Sequence, residues 1–210
     1  MNLLIIGATG GTGRALVDQA LEQGHTVTAL VRNPAKVRVD HHNLTVIKGN
    51  VLDFDSVDKG VQGKDAVLSA LGHKRWFIRT TILSRGTENI VAAMEKHGVK
   101  RLVCETSLGV GNSRGRLGLY YTLFVIPFIT FFYFMDKGRQ EQIIRKSSLD
   151  WVIVRPGQLT NGRRRGVYRH GERIGNYVLT VGISRADVAD FMLKQLTDNS
   201  YIHRTPGLAY

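Results

Sequence analysis

Cysteine, proline and acidic side chains are all scarce in this chain of 210 residues. The single cysteine, Cys104, has no partner for an internal disulfide, and its apolar neighbours suit a core position in a reducing cytoplasm. Four prolines exclude a collagen-like or proline-rich disordered chain. Asp and Glu number 17 against 29 Lys and Arg, a net charge of +12, so the chain attracts anions. A nucleotide, an acidic lipid surface and nucleic acid all satisfy that attraction. His41-His42 stands without other ligand types at metal spacing, so no metal site is expected. Long apolar runs are missing but for residues 117–135, which are 19 residues without a charge. Residues 1–7 carry no basic flank ahead of four apolar side chains, which reads as a strand and not as a signal peptide.

What is present is ordinary for a folded chain: 43% hydrophobic and 22% charged residues, with room for one domain. Short runs rich in branched apolar side chains, at 3–6, 26–31, 44–47, 66–70, 101–104 and 151–154, read as strands. Between them 13–23, 80–97 and 136–146 have helical period, with a shorter helix around Val57. Strand and helix in alternation predict an α/β fold, a doubly wound parallel sheet in one domain spanning 1–210. Beyond Pro156 the alternation decays into a Gly- and Arg-rich stretch, 157–175. A last helix is expected over 184–196, with Ser184 as its cap and Asp187 three residues on.

Directly after the first strand comes Gly7-Ala8-Thr9-Gly10-Gly11-Thr12-Gly13, opening into an amphipathic helix. A dinucleotide pyrophosphate needs bare backbone and the amides of a helix start pointing at it. Gly7 permits the tight turn, Gly10 the close approach, and Gly13 the packing of helix on strand. The second strand runs into Arg32, where NAD binders usually place a carboxylate for the ribose 2′-hydroxyl. A guanidinium there invites the 2′-phosphate of NADP(H) instead, with Lys36 within one turn to add charge. Past the third strand, Asn50 is placed to reach the adenine.

The glycine loop, Val31-Arg32-Asn33, Gly49-Asn50-Val51-Leu52-Asp53, Asp65-Ala66-Val67, Leu71-Gly72, the run from Asn89 to Met94 and Val154-Arg155-Pro156 together resemble the atypical short-chain dehydrogenase/reductases. Within them the chain is similar to the NAD(P)H-binding, NmrA-like group that contains biliverdin-IXβ reductase, also called flavin reductase. The resemblance implies a Rossmann-type fold with NADPH across the switch point of the sheet, and hydride passed to a flavin, quinone or other planar conjugated acceptor. Carried over by position, Gly7, Thr9, Gly10, Gly11, Thr12 and Gly13 would line the pyrophosphate, and Arg32 with Lys36 the 2′-phosphate. Asn50 and Val51 would meet adenine. Leu71, Gly72 and Lys74 would run beside ribose and nicotinamide, and Ser107 would face the nicotinamide. Two departures from the group stand out: Asn50 stands for the usual Asp, and Glu141 and Gln158 for histidines that face the substrate, which weakens the case for a tetrapyrrole. A second class of function stays open, a regulatory protein that senses NADP(H) without turning it over.

Carbonyl reduction in short-chain dehydrogenases uses a tyrosine as proton donor, a lysine four residues on to support it, and a serine to polarise the oxygen. Tyr133 and Lys137 have that spacing, and positions i and i+4 share a helix face. Ser107 precedes them. His73 follows Leu71-Gly72 and is read as a loop histidine. The arginines at 163–165, with Arg169 and Arg173, are read as a solvated basic loop and not as a nucleic-acid site, because no stacking aromatics accompany them. The segment from about 113 to 135 reads as an aromatic-rich insertion. Eight aromatic side chains lie within 117–135, pointing all round a helix. Three roles fit it: a lid over the acceptor, a peripheral membrane contact, or a plain packing segment, in the core or between the subunits of a homodimer. Pro127 at its middle argues against a spanning helix.

Overall fold

Residues 2–6 alternate nothing: Leu3, Leu4, Ile5 and Ile6 are all apolar, as a parallel strand covered on both faces requires. In the computed structural model, which describes residues 1–73 and 77–210, they form β1 (Asn2–Ile6) at the centre of the sheet. The chain continues through α1 (Gly11–Glu22), β2 (Thr26–Val31), β3 (Leu44–Lys48), α2 (Phe54–Val61), β4 (Ala66–Ser69), α3 (Ile82–His97) and β5 (Arg101–Glu105). Then come α4 (Phe131–Lys146), β6 (Asp150–Pro156), β7 (Gln158–Thr160), β8 (Arg169–Gly171), β9 (Gly182–Ser184), α5 (Arg185–Lys194) and β10 (Gly207–Ala209). The main sheet has eight strands in the order β3-β2-β1-β4-β5-β6-β10-β8, and β7 pairs with β9 in a small separate ladder. All neighbours in the main sheet are parallel except β8, which runs antiparallel to β10.

Helices cover both faces. Leu16, Val17, Ala20 and Leu21 of α1 pack with Val188, Ala189, Met192 and Leu193 of α5 on one side of the sheet. On the other side Val57 and Val61 of α2, Ile90 and Met94 of α3 and Ile144 of α4 close the second core. Cys104 belongs to that core, and burial pushes its thiol up to about 12, so it is an inert filler.

Helix ends follow their local chemistry. Gly98 ends α3 in the left-handed region (φ 70°), with Val99 N–H returning to the Met94 carbonyl. The start of α3 has no cap from its own flank; the buried Asp136 of α4 supplies one, accepting from the amides of Leu83 at 2.9 Å and Ser84 at 3.2 Å. Ser184 caps α5 as its position predicts, accepting from Asp187 N–H at 3.0 Å.

The carboxyl-terminal third and the aromatic stretch differ from expectation. The stretch 157–175 contributes β7 and β8, and the chain end adds β10. Helix α4 starts at Phe131 and not at 136. Ahead of it, Tyr121–Ile129 forms a π-helix containing Pro127, whose missing N–H removes one backbone bond. Thr130 N–H and hydroxyl both close onto the Val125 carbonyl, at 2.9 and 3.2 Å. No helix among the described residues is long and apolar enough to cross a membrane.

Candidate functional site

The strand order reverses between β1 and β4, and a sheet of this kind opens a crevice at the carboxyl ends of those strands. Here the loops after the two strands touch. Gly7 lies at φ 83°, and a Cβ on it would come within 2.3 Å of the Ala70 carbonyl oxygen. A Cβ on Gly13 would come within 2.0 Å of the Gly7 carbonyl. These two glycines therefore hold the loop tight. Gly10 and Gly11 are exposed, and Gly10 as N-cap has no side chain to accept from the helix, so the first-turn amides of α1 have no partner within their helix. A helix start of this kind can hold a diphosphate.

Thr9 is half-buried beside this turn. Thr12 offers its backbone amide only, because its hydroxyl turns inward and donates to Glu105 Oε1 at 3.0 Å. Arg32 and Lys36 are exposed beyond the carboxyl end of β2. Asn33 Oδ1 accepts from Ala35 N–H at 3.1 Å and so shapes the turn that carries Lys36. Beyond β3, Asn50 Oδ1 accepts from Leu52 N–H at 3.2 Å, which leaves its amide group as the outward donor. Val51 is buried. It converges with Leu71 on Gly86 of α3, where an added Cβ would meet their methyl groups at 2.9 and 3.1 Å. Gly72 borders the same crevice; Lys74 lies outside the described residues.

The start of α4 brings Tyr133 and Lys137 one helical turn apart against this edge. A methyl group on Gly72 would stand 3.6 Å from the Tyr133 hydroxyl. The His73 ring meets Tyr133 edge-on at 4.9 Å and bonds Thr80 Oγ1 at 3.0 Å. Lys137 is 3% exposed; its ammonium lies 5.2 Å from the Tyr133 ring centroid and donates to the Glu105 carbonyl at 3.4 Å. Burial opposes its charge, but Tyr133, Glu105 and Cys104 outweigh burial and hold Lys137 above its ordinary value. Burial also pushes the Glu105 carboxyl upward, against the pull of Lys137, Thr12 and Arg185. Ser107 is half-buried beyond β5 and spends its hydroxyl on the Leu108 carbonyl at 2.9 Å.

Glu141 and Gln158 do not act together. Glu141 is buried and grips Arg155 through both oxygens, at 2.9 and 2.5 Å, and accepts from Thr106 at 2.8 Å; Gln158 is exposed on β7. Two residues of the arginine loop are tied to the chain end, with Arg165 stacked 4.2 Å over Tyr210 and Arg169 on the Tyr210 carbonyl. Among the described residues no cluster suits a metal ion.

Two residues of the site escaped the linear reading. Glu105 links the glycine-loop helix to Lys137. Arg185, at the start of α5, lays its stem across Gly11, where an added Cβ would meet its Cδ at 2.3 Å, and donates to Asn161 Oδ1 at 2.6 Å. Nothing in their local sequence marks either one, since both are brought in by strand order and helix packing.

A parallel sheet with the order 3-2-1-4-5-6, an uncapped helix start behind a glycine turn and a crevice at the reversal point define a dinucleotide-binding protein of the Rossmann class. The chain belongs to the NAD(P)H-binding family, whose model matches residues 7–199. It is 32% identical over 172 residues to an uncharacterized chloroplast protein of Arabidopsis thaliana, covering 76% of this chain and 59% of that protein's length. Among solved structures it is similar to a Rossmann-fold NAD(P)-binding protein from Shigella flexneri, at TM-score 0.75 and 26% identity over 99% of this chain and 92% of that one. An anaerobilin reductase from Escherichia coli O157:H7 shares the fold at TM-score 0.82 and 22% identity, over 100% of this chain and 97% of that one.

Proposed function

We propose that the protein is an NADPH-dependent reductase acting on a flavin, quinone or other planar conjugated acceptor. The observation that carries the proposal is the Tyr133 hydroxyl, set beside Gly72 and the Lys137 ammonium at the crevice of a dinucleotide-binding sheet. The uncapped amides of Gly11, Thr12 and Gly13 would hold the pyrophosphate, with Arg185 adding a cation at Gly11, and Arg32 and Lys36 would hold the 2′-phosphate. The dihydronicotinamide supplies hydride when bound. Tyr133 donates the proton that completes a two-electron reduction, Lys137 offsets the charge left on the phenol oxygen, and solvent restores the proton. Gly72 keeps the approach to the Tyr133 hydroxyl open, and the edge-on rings of His73 and Tyr133 suit a flat acceptor.

The test is steady-state NADPH oxidation with a panel of flavins and quinones. Acceptor-dependent turnover is expected. NADPH binding by calorimetry with no turnover across the panel would replace this reading with the NADP(H)-sensing regulator.

A further inference from the structure

The π-helix Tyr121–Ile129 and the turn before it expose apolar side chains with a period of about four, as the widened i to i+5 bonding brings onto one side. Leu119, Leu123, Phe124 and Phe128 form that side, and Phe128 is 75% exposed. The intervening Tyr121, Thr122, Val125 and Ile126 are half-buried, so the exposed face is not the inner side of a packed helix. A second segment extends it. Leu119 N–H donates to the Val178 carbonyl at 3.1 Å, and Val178 and Leu179 beside it are 63% and 68% exposed. An apolar surface of this kind on a folded chain marks a contact with something.

Charge selects what it contacts. Residues 106–135 and 173–186 contain no Asp or Glu. Arg114 and Arg116 stand before the first segment and Arg173 before the second, with Arg114 and Arg173 exposed. The nearest acids are already engaged: Asp136 is buried at the start of α3, and Glu172 lies 3.7 Å from Arg204. Two copies meeting through this face would press like charges together on a chain of net charge +12. An anionic bilayer offers apolar depth for the phenylalanines and leucines, and phosphate for the arginines. We infer that this face docks on the surface of a bilayer rich in anionic phospholipid, with the π-helix lying in the headgroup region. The docking needs no dinucleotide and does not depend on the reductase reading.

Flotation of the full chain with vesicles of phosphatidylcholine alone, or mixed in equal parts with phosphatidylglycerol, tests this. The protein should float with the mixed vesicles, be released by high salt, and float weakly with phosphatidylcholine. Phe124→Ser/Phe128→Ser should weaken partition by about tenfold or more, because each ring removed forfeits apolar burial. Leu179→Ser, in the separate loop, should weaken it in the same direction. Unchanged melting temperature and NADPH binding would show that the variants fold. Equal flotation with both vesicles, or variants that float like the parent, would overturn the inference. So would failure to float together with a dimer in sedimentation velocity that the phenylalanine variants dissolve, which would assign the face to a second copy.

Discussion

Tyr133 sits inside the aromatic run 131–134, in which a tyrosine carries little information, yet its hydroxyl borders Gly72 at the crevice. Position on α4, one turn before a buried ammonium, distinguishes it from its neighbours. Tyr133→Phe keeps the ring against His73 and removes only the hydroxyl. It should lower kcat for acceptor reduction by about a hundredfold, the usual contribution of a general acid, and leave NADPH affinity unchanged in calorimetry. A rate equal to the parent's would leave positioning as the whole of catalysis. Arg32, exposed beyond β2, is the proposed partner of the 2′-phosphate. Arg32→Ala should weaken NADPH by about 2 kcal/mol, roughly thirtyfold, as loss of a charged hydrogen bond does. NADH should change by less than about threefold, since it lacks the phosphate that the guanidinium recognises. Equal losses for the two coenzymes would move Arg32 away from the 2′-phosphate.

Helices of this chain make opposite demands on glycine. In α1, Gly13 lies against the Gly7 carbonyl, and a methyl group would fall 2.0 Å from that oxygen. Gly13→Ala should cost about 2 kcal/mol or more in urea unfolding, through forced backbone movement, and should abolish dinucleotide binding because the loop cannot close. In α4, a Cβ on Gly138 meets nothing within 4 Å. Gly138→Ala should therefore stabilise by about 0.5–1 kcal/mol, the difference in helix propensity. The same substitution with opposite signs separates a packing glycine from a merely permissive one. Helix α4 also shows how elements share their needs: Asp136 caps α3, Lys137 donates to the Glu105 carbonyl of β5, and Glu141 locks onto Arg155, which is 2% exposed.

One carboxylate joins distant parts of the fold. Asp187 accepts from Ser184 Oγ on the turn before α5, from the Arg165 and Gly166 amides of the basic loop, and from the Tyr210 hydroxyl at the chain end. Burial raises its pKa, but the bonds from Tyr210, Gly166, Ser184 and Arg165 outweigh burial and hold it below the usual carboxylate range. A carboxyl with a depressed folded-state pKa contributes stability above its unfolded value, and that stability is lost as pH falls through the folded value. Asp187→Asn should consequently lower the melting temperature at neutral pH and flatten its decline over the acid range. A variant whose melting temperature falls with acid as steeply as the parent's would remove Asp187 from the account. Two arginines near it are spent on Tyr210, Arg165 over its ring and Arg169 on its carbonyl.

What the linear order of residues determined on its own is the central sheet and the glycine turn that opens into α1. Buried parallel strands read as unbroken apolar runs, and the glycine turn with its following helix is local, so strands 3–6 and 26–31 and Gly7 to Gly13 were legible without a fold. Strands β8 and β10 were not, because Arg169–Gly171 and Gly207–Ala209 have no apolar period and become strands only by pairing with each other and with β6. The π-helix was hidden for a related reason, since uniform apolarity carries no period and the bonding was settled by Pro127 and the Thr130 turn. Tertiary structure alone decided that Thr12 turns to Glu105, that Arg185 crosses Gly11, and that Glu141 pairs inside instead of facing an acceptor. Such contacts join positions far apart in sequence, and burial, which sets which charges must be paired, exists only once the layers have closed.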